Sequence, residues 1–488
     1  MNSKEKVIKL LKALIFCILL ICIVSYTDDI LERKTAIKDT GAFFNEKEGV
    51  EVLFLGTSHV MDAVYPMELW NDYGITSHNF GGENNTIALD YWMLKNALVY
   101  SKPKVVVLDC SAWEKYDVKV YSVDLMHKQV DAFPLNRSKI DMLNDLLDNW
   151  NDRLQFIWNF SLYHNRWSEL TDDDFQSKAS LVDELNRGSM LMPKVAVPAS
   201  YPKVDKNDKL EQNTIGAEYL RKIIEECQSE DIDILLTYLP FPAPEMRQME
   251  ANTIYDVASE YNINYVNFLD LDVVNYVTDF HDANSHVNAA GGRKITDYLG
   301  EYITTNYDVT DHRQDPDYTS WNENYNDYME YKISELKKQQ ELDRYFTMLT
   351  DKNLSCCVYM NERVGSSCDE RMKELIANIA QYGDLKKLDT AIASGKDYFL
   401  LVDNGKAEIF ESTNGESIDI SNTTFGHVAF GTDGEDSRYL YIQDGESNYI
   451  DEDYDVIVTV INKYTGSIED VAQFSIYDKL HYGIKAEN

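Results

Sequence analysis

Four short apolar runs limit the folds open to this chain: Val52-Leu53-Phe54-Leu55, Val105 to Leu108, Ile234 to Leu239 and Tyr265 to Phe268. Each has the length of a strand and is too short to be a helix. Between them, amphipathic patterns over Ile87 to Val99 and Leu220 to Cys227 read as helices. Strands that are apolar on both faces and alternate with helices belong to a parallel sheet covered on both sides, with right-handed crossovers.

Such a sheet presents the residues after its strand ends to a crevice where ligands bind. The first run ends in Gly56-Thr57-Ser58-His59, which puts a hydroxyl at that position. Far downstream, Asp282-Ala-Asn-Ser-His286-Val-Asn288 precedes Ala289-Ala290-Gly291-Gly292 and an amphipathic stretch from Arg293 to Ile303. This reads as an acid and a histidine on a loop that opens a helix. Serine at its own pKa is a poor nucleophile. It needs an adjacent base, and the base needs a third group to fix its tautomer and support the imidazolium. Ser58, His286 and Asp282 are the candidates for those three roles.

These residues, in the order Ser, Asp, His, carry a resemblance to the SGNH/GDSL hydrolases, with Gly-Thr-Ser-His standing where that family has Gly-Asp-Ser. The similarity runs from about Val50 to Tyr302. It looks closest to the membrane-anchored branch acting on bacterial surface polymers, which includes alginate acetylation proteins and the teichoic acid D-alanine transfer protein. It implies a flavodoxin-like α/β fold and serine-dependent acyl chemistry without cofactor or metal.

Two features depart from the family pattern. The family has Asp-x-x-His, whereas Asp282 lies four residues before His286; either the loop holds an extra residue or another carboxylate, such as Asp279, orients the histidine. No Gly-x-Asn-Asp string is present either. Asn79-Phe80-Gly81-Gly82-Glu83-Asn84-Asn85 resembles the family's second block, which makes Gly82 and Asn84 the candidates for the oxyanion hole beside the amide of Ser58. Asp109, at the end of the second run, stands where the third block would begin, and an anionic carboxylate there would repel an oxyanion.

The insertion from Ser111 to Lys209 carries a helical pattern over Ile140 to Phe160 and the aromatic residues Trp158, Tyr163 and Trp167. Such an insertion is expected to cover the site. Aromatic faces suit sugar rings, and the alternative is that they form the insertion's own core. His59, His164, Arg166 and Trp167 are the candidate substrate-binding residues.

Lys4, Lys6, Lys9 and Lys12 precede the apolar run Ala13 to Tyr26, and Asp28-Asp29 follow it. This predicts a single membrane anchor within residues 1–30, with the lysines cytoplasmic and the rest of the chain outside. A cleaved signal peptide is the alternative, although Val24-Ser25-Tyr26 is not a small-x-small cleavage site. The net charge of −37 over 488 residues makes nucleic acid and anionic surfaces poor partners. The 7 cysteines make no disulfide framework or zinc spacing, although Cys356 or Cys357 with Cys368 is an open pairing.

The domain plan is therefore an anchor over 1–30, an α/β hydrolase-like domain over 49–308, a helical linker over 309–347 and a β-rich accessory domain over 348–488. The last domain is read from Tyr398 to Val402, Val428 to Phe430, Tyr439 to Ile442 and Val456 to Ile461, with glycine turns between them and a helix over Arg371 to Tyr382. Its acidic run Asp433 to Asp455 is either a calcium ligand set or a solvated face. The function that the resemblance implies is an extracytoplasmic esterase or O-acyltransferase on acyl esters, acetyl foremost, of an envelope or exported polysaccharide. The resemblance implies a membrane-bound O-acyltransferase as partner. The alternative is an SGNH-fold glycan-binding or scaffolding subunit without turnover.

Overall fold

The computed structural model describes residues 3–34, 40–112, 117–176, 185–361, 363–364, 369–379, 397–403, 406–412, 418–422, 424–432, 438–442, 448–449, 454–476 and 483–485. It opens with the helix α1 (Ser3–Leu31), of which Lys6–Leu31 is long and apolar enough to cross a membrane and has its apolar side chains exposed.

The chain then forms a mixed α/β unit around a parallel sheet of β1 (Val52–Thr57), β2 (Ser77–Gly82), β3 (Val105–Asp109), β4 (Asp233–Tyr238) and β5 (Asn264–Asn267), in the order β2-β1-β3-β4-β5. Four of the five strands, β1, β3, β4 and β5, fall on the four apolar runs of the sequence, and β1 is buried along its whole length. Because β2 and β3 lie on opposite sides of β1, the chain reverses its winding there and opens a crevice above the C-terminal end of β1. Gly56 is required at that end. It has φ +144°, and a Cβ would press on Val60 and Asp109.

The insertion departs from its expected single helix. Helices Arg137–Leu146 and Trp150–Ile157 are separated at Leu147–Asn149, where the Asn149 side chain caps the second by accepting from the Asn151 amide. The segment that covers the sheet crevice lies later, at residues 185–199. It is held by backbone bonds from Asn79 N to Arg187 O (3.0 Å), Met190 N to Met61 O (2.9 Å), Ala289 N to Met192 O (2.8 Å) and Ala196 N to Phe280 O (2.7 Å).

The linker is not a free polar spacer. Helix Thr319–Lys337 buries Trp321, Tyr325, Tyr328, Met329, Ile333 and Leu336, spaced to form one stripe. That stripe joins Tyr65, Met67 and Trp70 of the α/β unit in a core shared with the C-terminal sheet. Two buried cations complete the joint: Arg293 donates to Thr350 Oγ1 (2.9 Å) and pairs with Glu68 (3.3 Å), and Lys332 pairs with Asp351.

The separate C-terminal part is antiparallel and β-rich. A six-stranded sheet runs β15-β14-β13-β6-β7-β8 and a four-stranded one runs β12-β11-β10-β9, where β6 is Leu354–Met360, β7 Asp397–Asp403, β8 Lys406–Ser412, β9 Ile418–Asn422, β10 Gly426–Thr432, β11 Arg438–Ile442, β12 Asn448–Tyr449, β13 Val456–Asn462, β14 Ile468–Ser475 and β15 Ile484–Lys485. Helix Glu370–Ile379 packs beside it. Cys356 and Cys357 are buried free thiols in β6. Cys368, the turns at 404–405, 414–415 and 444–445, and most of the acidic run 433–455 lie outside the described residues.

Candidate active site

Ser58 is the first residue of the helix Ser58–Ala63, one residue beyond β1, and Thr57 caps that helix by accepting from the His59 amide (3.3 Å). On the facing loop, an antiparallel bridge between Phe280 and Val287, with the His281 amide bonded to the His286 carbonyl (3.0 Å), folds residues 280–287 back on themselves. The fold of that loop brings His286 onto Ser58.

Ser58 Oγ lies 2.7 Å from His286 Nε2, and His286 Nδ1 lies 2.6 Å from Asp282 Oδ2. The four-residue spacing is accommodated because the other oxygen of Asp282 accepts from the amides of Asn284 (2.8 Å), Ser285 (2.7 Å) and His286 (3.3 Å). The carboxylate thereby closes its own loop from Asp282 to His286. Burial pushes the Asp282 carboxyl up, but the His286 bond and the Ser285 and Asn284 amides outweigh it and hold the group well below the usual carboxylate range.

Asp279 faces elsewhere. It is fully buried, accepts from the Asn275 amide (2.8 Å), pairs with Lys294 (2.7 Å) and takes the amide of Asn378 (2.8 Å), so it belongs to the joint with helix Glu370–Ile379. Asp109 is also turned from the cavity. One oxygen accepts from Ser111 Oγ (2.5 Å) and the other from the Leu239 amide (2.9 Å). Burial raises its pKa to about 6 against those bonds. Ser111, two residues on, is the residue of this strand end that reaches the cavity.

The cavity, about 310 Å³, is lined by Ser58, His59, Asp62, Glu83, Asn84, Ser111, Arg247, His281, Ser285 and His286, with Met190 and Met192 from the covering segment. Asn84 stands there with φ 54°, a left-handed conformation that asparagine tolerates. Gly82 pairs with Thr57 at the strand end, and a Cβ there would collide with the side chain of Gln129. His59 also lines the wall, with its ring 4.9 Å from Phe241 and 5.3 Å from His286.

The remaining expected substrate-binding residues do not line this cavity. His164 is exposed and sits beside the Ser161 carbonyl (3.2 Å). Arg166 donates to the carbonyls of Leu31 (2.6 Å) and Glu32 (2.8 Å) and forks onto Asp174. Trp167 is 72% exposed. Arg166 is bound to the end of α1, because the insertion folds back on the N-terminal helix before it returns to cover the sheet.

The cavity also holds a pair that the sequence reading did not single out. His281 Nε2 lies 3.1 Å from Asp62 Oδ2, and the His281 ring is parallel to His286 at 5.3 Å. Burial raises the pKa of Asp62, opposed by the His281 bond and by the charge of His286. Asp62 follows Ser58 by four residues on one short helix, and that spacing was the available signal. Arg247 is held by Glu250 and the Ser111 carbonyl and had no such signal.

Asp62, His281 and His286 have ligand atoms within 4.8 Å of one another, a set able to hold a metal ion. An ion there would compete with Ser58 and Asp282 for His286. Comparison with protein-family models and with curated proteins finds no match, so the site is read from its own geometry.

Proposed function

We propose that the chain is a membrane-anchored, serine-dependent acyl-ester hydrolase or O-acyltransferase of SGNH type. Its substrates are acyl, in the first instance acetyl, esters of a cell-envelope or exported polysaccharide. The observation that carries this reading is the continuous relay from Ser58 through His286 to Asp282 at 2.7 and 2.6 Å, on the wall of an open cavity. A serine with a merely structural partner needs no carboxylate held ionised behind its histidine.

In this reading Ser58 Oγ attacks the ester carbonyl carbon while its proton passes to His286 Nε2. Asp282 holds the imidazole tautomer and stabilises the imidazolium. The amides of Ser58 and Gly82 and the Asn84 side chain take the oxyanion. Collapse returns the proton from His286 to the departing alkoxide and leaves the acyl group on Ser58. His286 then deprotonates the second acceptor, which attacks the acyl carbon and frees the serine. Water as acceptor gives hydrolysis, and a glycan hydroxyl gives transfer.

The anchor reading is supported by α1, which is long and apolar enough to cross a membrane, and by its flanking lysines, which favour a catalytic unit on the far side. A membrane-bound O-acyltransferase is the implied donor for the transfer reaction. A second reading, a glycan-binding subunit without turnover, is favoured by one feature. Ser111 occupies the third-block position, and its hydroxyl is committed to Asp109.

The experiment is to incubate the full chain in detergent with p-nitrophenyl acetate, with and without a neutral oligosaccharide. Acetylated oligosaccharide identifies a transferase, and acetate alone identifies an esterase. Nitrophenolate release no faster than in buffer selects the non-catalytic reading.

A further inference from the structure

The residues that stand away from the Ser58 cavity gather around the outer end of α1. The helix packs on the turns Phe160–Tyr163 and Asp172–Phe175. Arg166 caps its last carbonyls, Asn159 donates to Glu32 (2.6 Å), and Arg33 lies over the Tyr163 ring at 5.9 Å. Leu31 and Glu32 are buried by this grip. On the same segment, large apolar side chains remain outside: Trp158 at 42%, Trp167 at 72% and Phe175 at 63% exposure.

Depth decides what these rings meet. The apolar run of α1 ends near Tyr26, and Leu31 is five residues on, which is about 7.5 Å along a helix. The headgroup layer on one side of a bilayer is about 5 to 7.5 Å thick. Arg166 therefore grips the helix at the outer edge of that layer, and its neighbour Trp167 is within reach of it. Exposed tryptophans at this level are the side chains that form aromatic belts, with an apolar body and a polar N–H.

We propose that the segment from Trp158 to Phe175 is a second membrane contact, a face that rests in the headgroup layer of a zwitterionic bilayer beside α1. Zwitterionic rather than anionic lipid follows from Asp28, Asp29, Glu169, Asp172 and Asp173 around the same patch. The inference rests on the anchor reading above.

It gives the insertion a role in the placement of the site. Tyr163 donates to Asp131 (2.8 Å), which also holds His127 (2.7 Å) on the helix Val123–Val130, and that helix presents Gln129 against Gly82 at the end of β2. The seat and the Ser58 cavity are thus joined through packed side chains. The cavity stands at a fixed distance from the lipid surface.

The test uses the full chain in phosphatidylcholine vesicles. None of the 7 tryptophans lies in residues 1–31, so quenching of tryptophan emission by lipid brominated near the headgroup reports the folded body and not the anchor. Flotation is measured on the same samples. The proposal expects quenching of the wild type and a fall in the quenched fraction by about half or more in a Trp158→Phe, Trp167→Phe double variant that still floats. Flotation without quenching, or quenching that the double variant retains, overturns the seat and leaves the anchor intact. Failure of the wild type to float overturns the anchor reading itself.

Discussion

Among the regions that carry histidine beside aromatic or polar partners, the strand-end loops around Ser58 and the insertion around Trp167 contrast most: the first brings its histidine onto a serine hydroxyl, and the second does not. The loops are delivered by the sheet. β1 puts Ser58 at its C-terminal end, and the bridge between Phe280 and Val287 returns His286 to it across 228 residues of sequence. The insertion has no such constraint, and its Arg166 spends its donors on Leu31, Glu32 and Asp174. Residue type alone therefore said little; position on the sheet decided which histidine meets a serine.

The sharpest way to break this contrast is to remove one residue from each region. Ser58→Ala should lower p-nitrophenyl ester turnover by about a thousandfold or more. Trp167→Ala should leave it within about twofold, since an exposed side chain away from the cavity contributes nothing to the chemistry. Equal losses would merge the two regions into one site.

A second comparison lies within the loop, between two carboxylates three residues apart. Asp282→Asn should cost about a hundredfold or more in turnover by removing the anion behind His286. Asp279→Asn should spare turnover and cost about 2–3 kcal/mol of stability, because it removes the anion paired with Lys294 and leaves that ammonium only the neutral oxygen of Asn378. The reverse ranking would move the orienting role to Asp279.

A smaller effect is expected at the paired histidine. Asp62→Asn keeps the volume but removes the anion that holds His281 against His286, and turnover should fall by about tenfold. Wild-type turnover in that variant would make the pair a packing feature.

An effect on stability alone concerns Asp109 beneath the cavity, where the folded pKa of about 6 exceeds the ordinary aspartate value of 3.8. The folded state holds this proton more tightly, so stability falls as pH rises from about 4 through 6. In Asp109→Asn that loss is absent, and its melting temperature should gain on the wild type across this window by the equivalent of at most about 3 kcal/mol. Parallel curves would show that the group titrates normally.

How far the sequence was legible follows the same division. β1, β3 and β4 were readable because they are buried on both faces and carry continuous apolar runs. β2, Ser77-His-Asn-Phe-Gly-Gly82, was not, because its burial is purchased with polar contacts: Asn79 Nδ2 donates to the carbonyls of Val60 (2.8 Å) and Val64 (2.9 Å), and its oxygen takes the Gly81 amide (2.8 Å). Helix Thr319–Lys337 looked like a polar connector because tyrosine and lysine read as surface residues. Lys332 is buried there only because Asp351 and Glu68 stand against it.

Within the site, Ser58, Asp282 and His286 were legible from their order and their places at element ends. Asp62 and His281 were not, since their pairing depends on how the loop folds back. The covering methionines Met190 and Met192 come from a segment without periodicity, held by backbone bonds that no side-chain pattern announces.

The most direct measurement is mass spectrometry of the full chain after reaction with a fluorophosphonate, with peptide mapping of the adduct. An activated nucleophile predicts one stoichiometric adduct on Ser58 that disappears in Ser58→Ala and is greatly slowed in His286→Ala. No adduct, or one on another residue with Ser58 unmodified, would contradict the account.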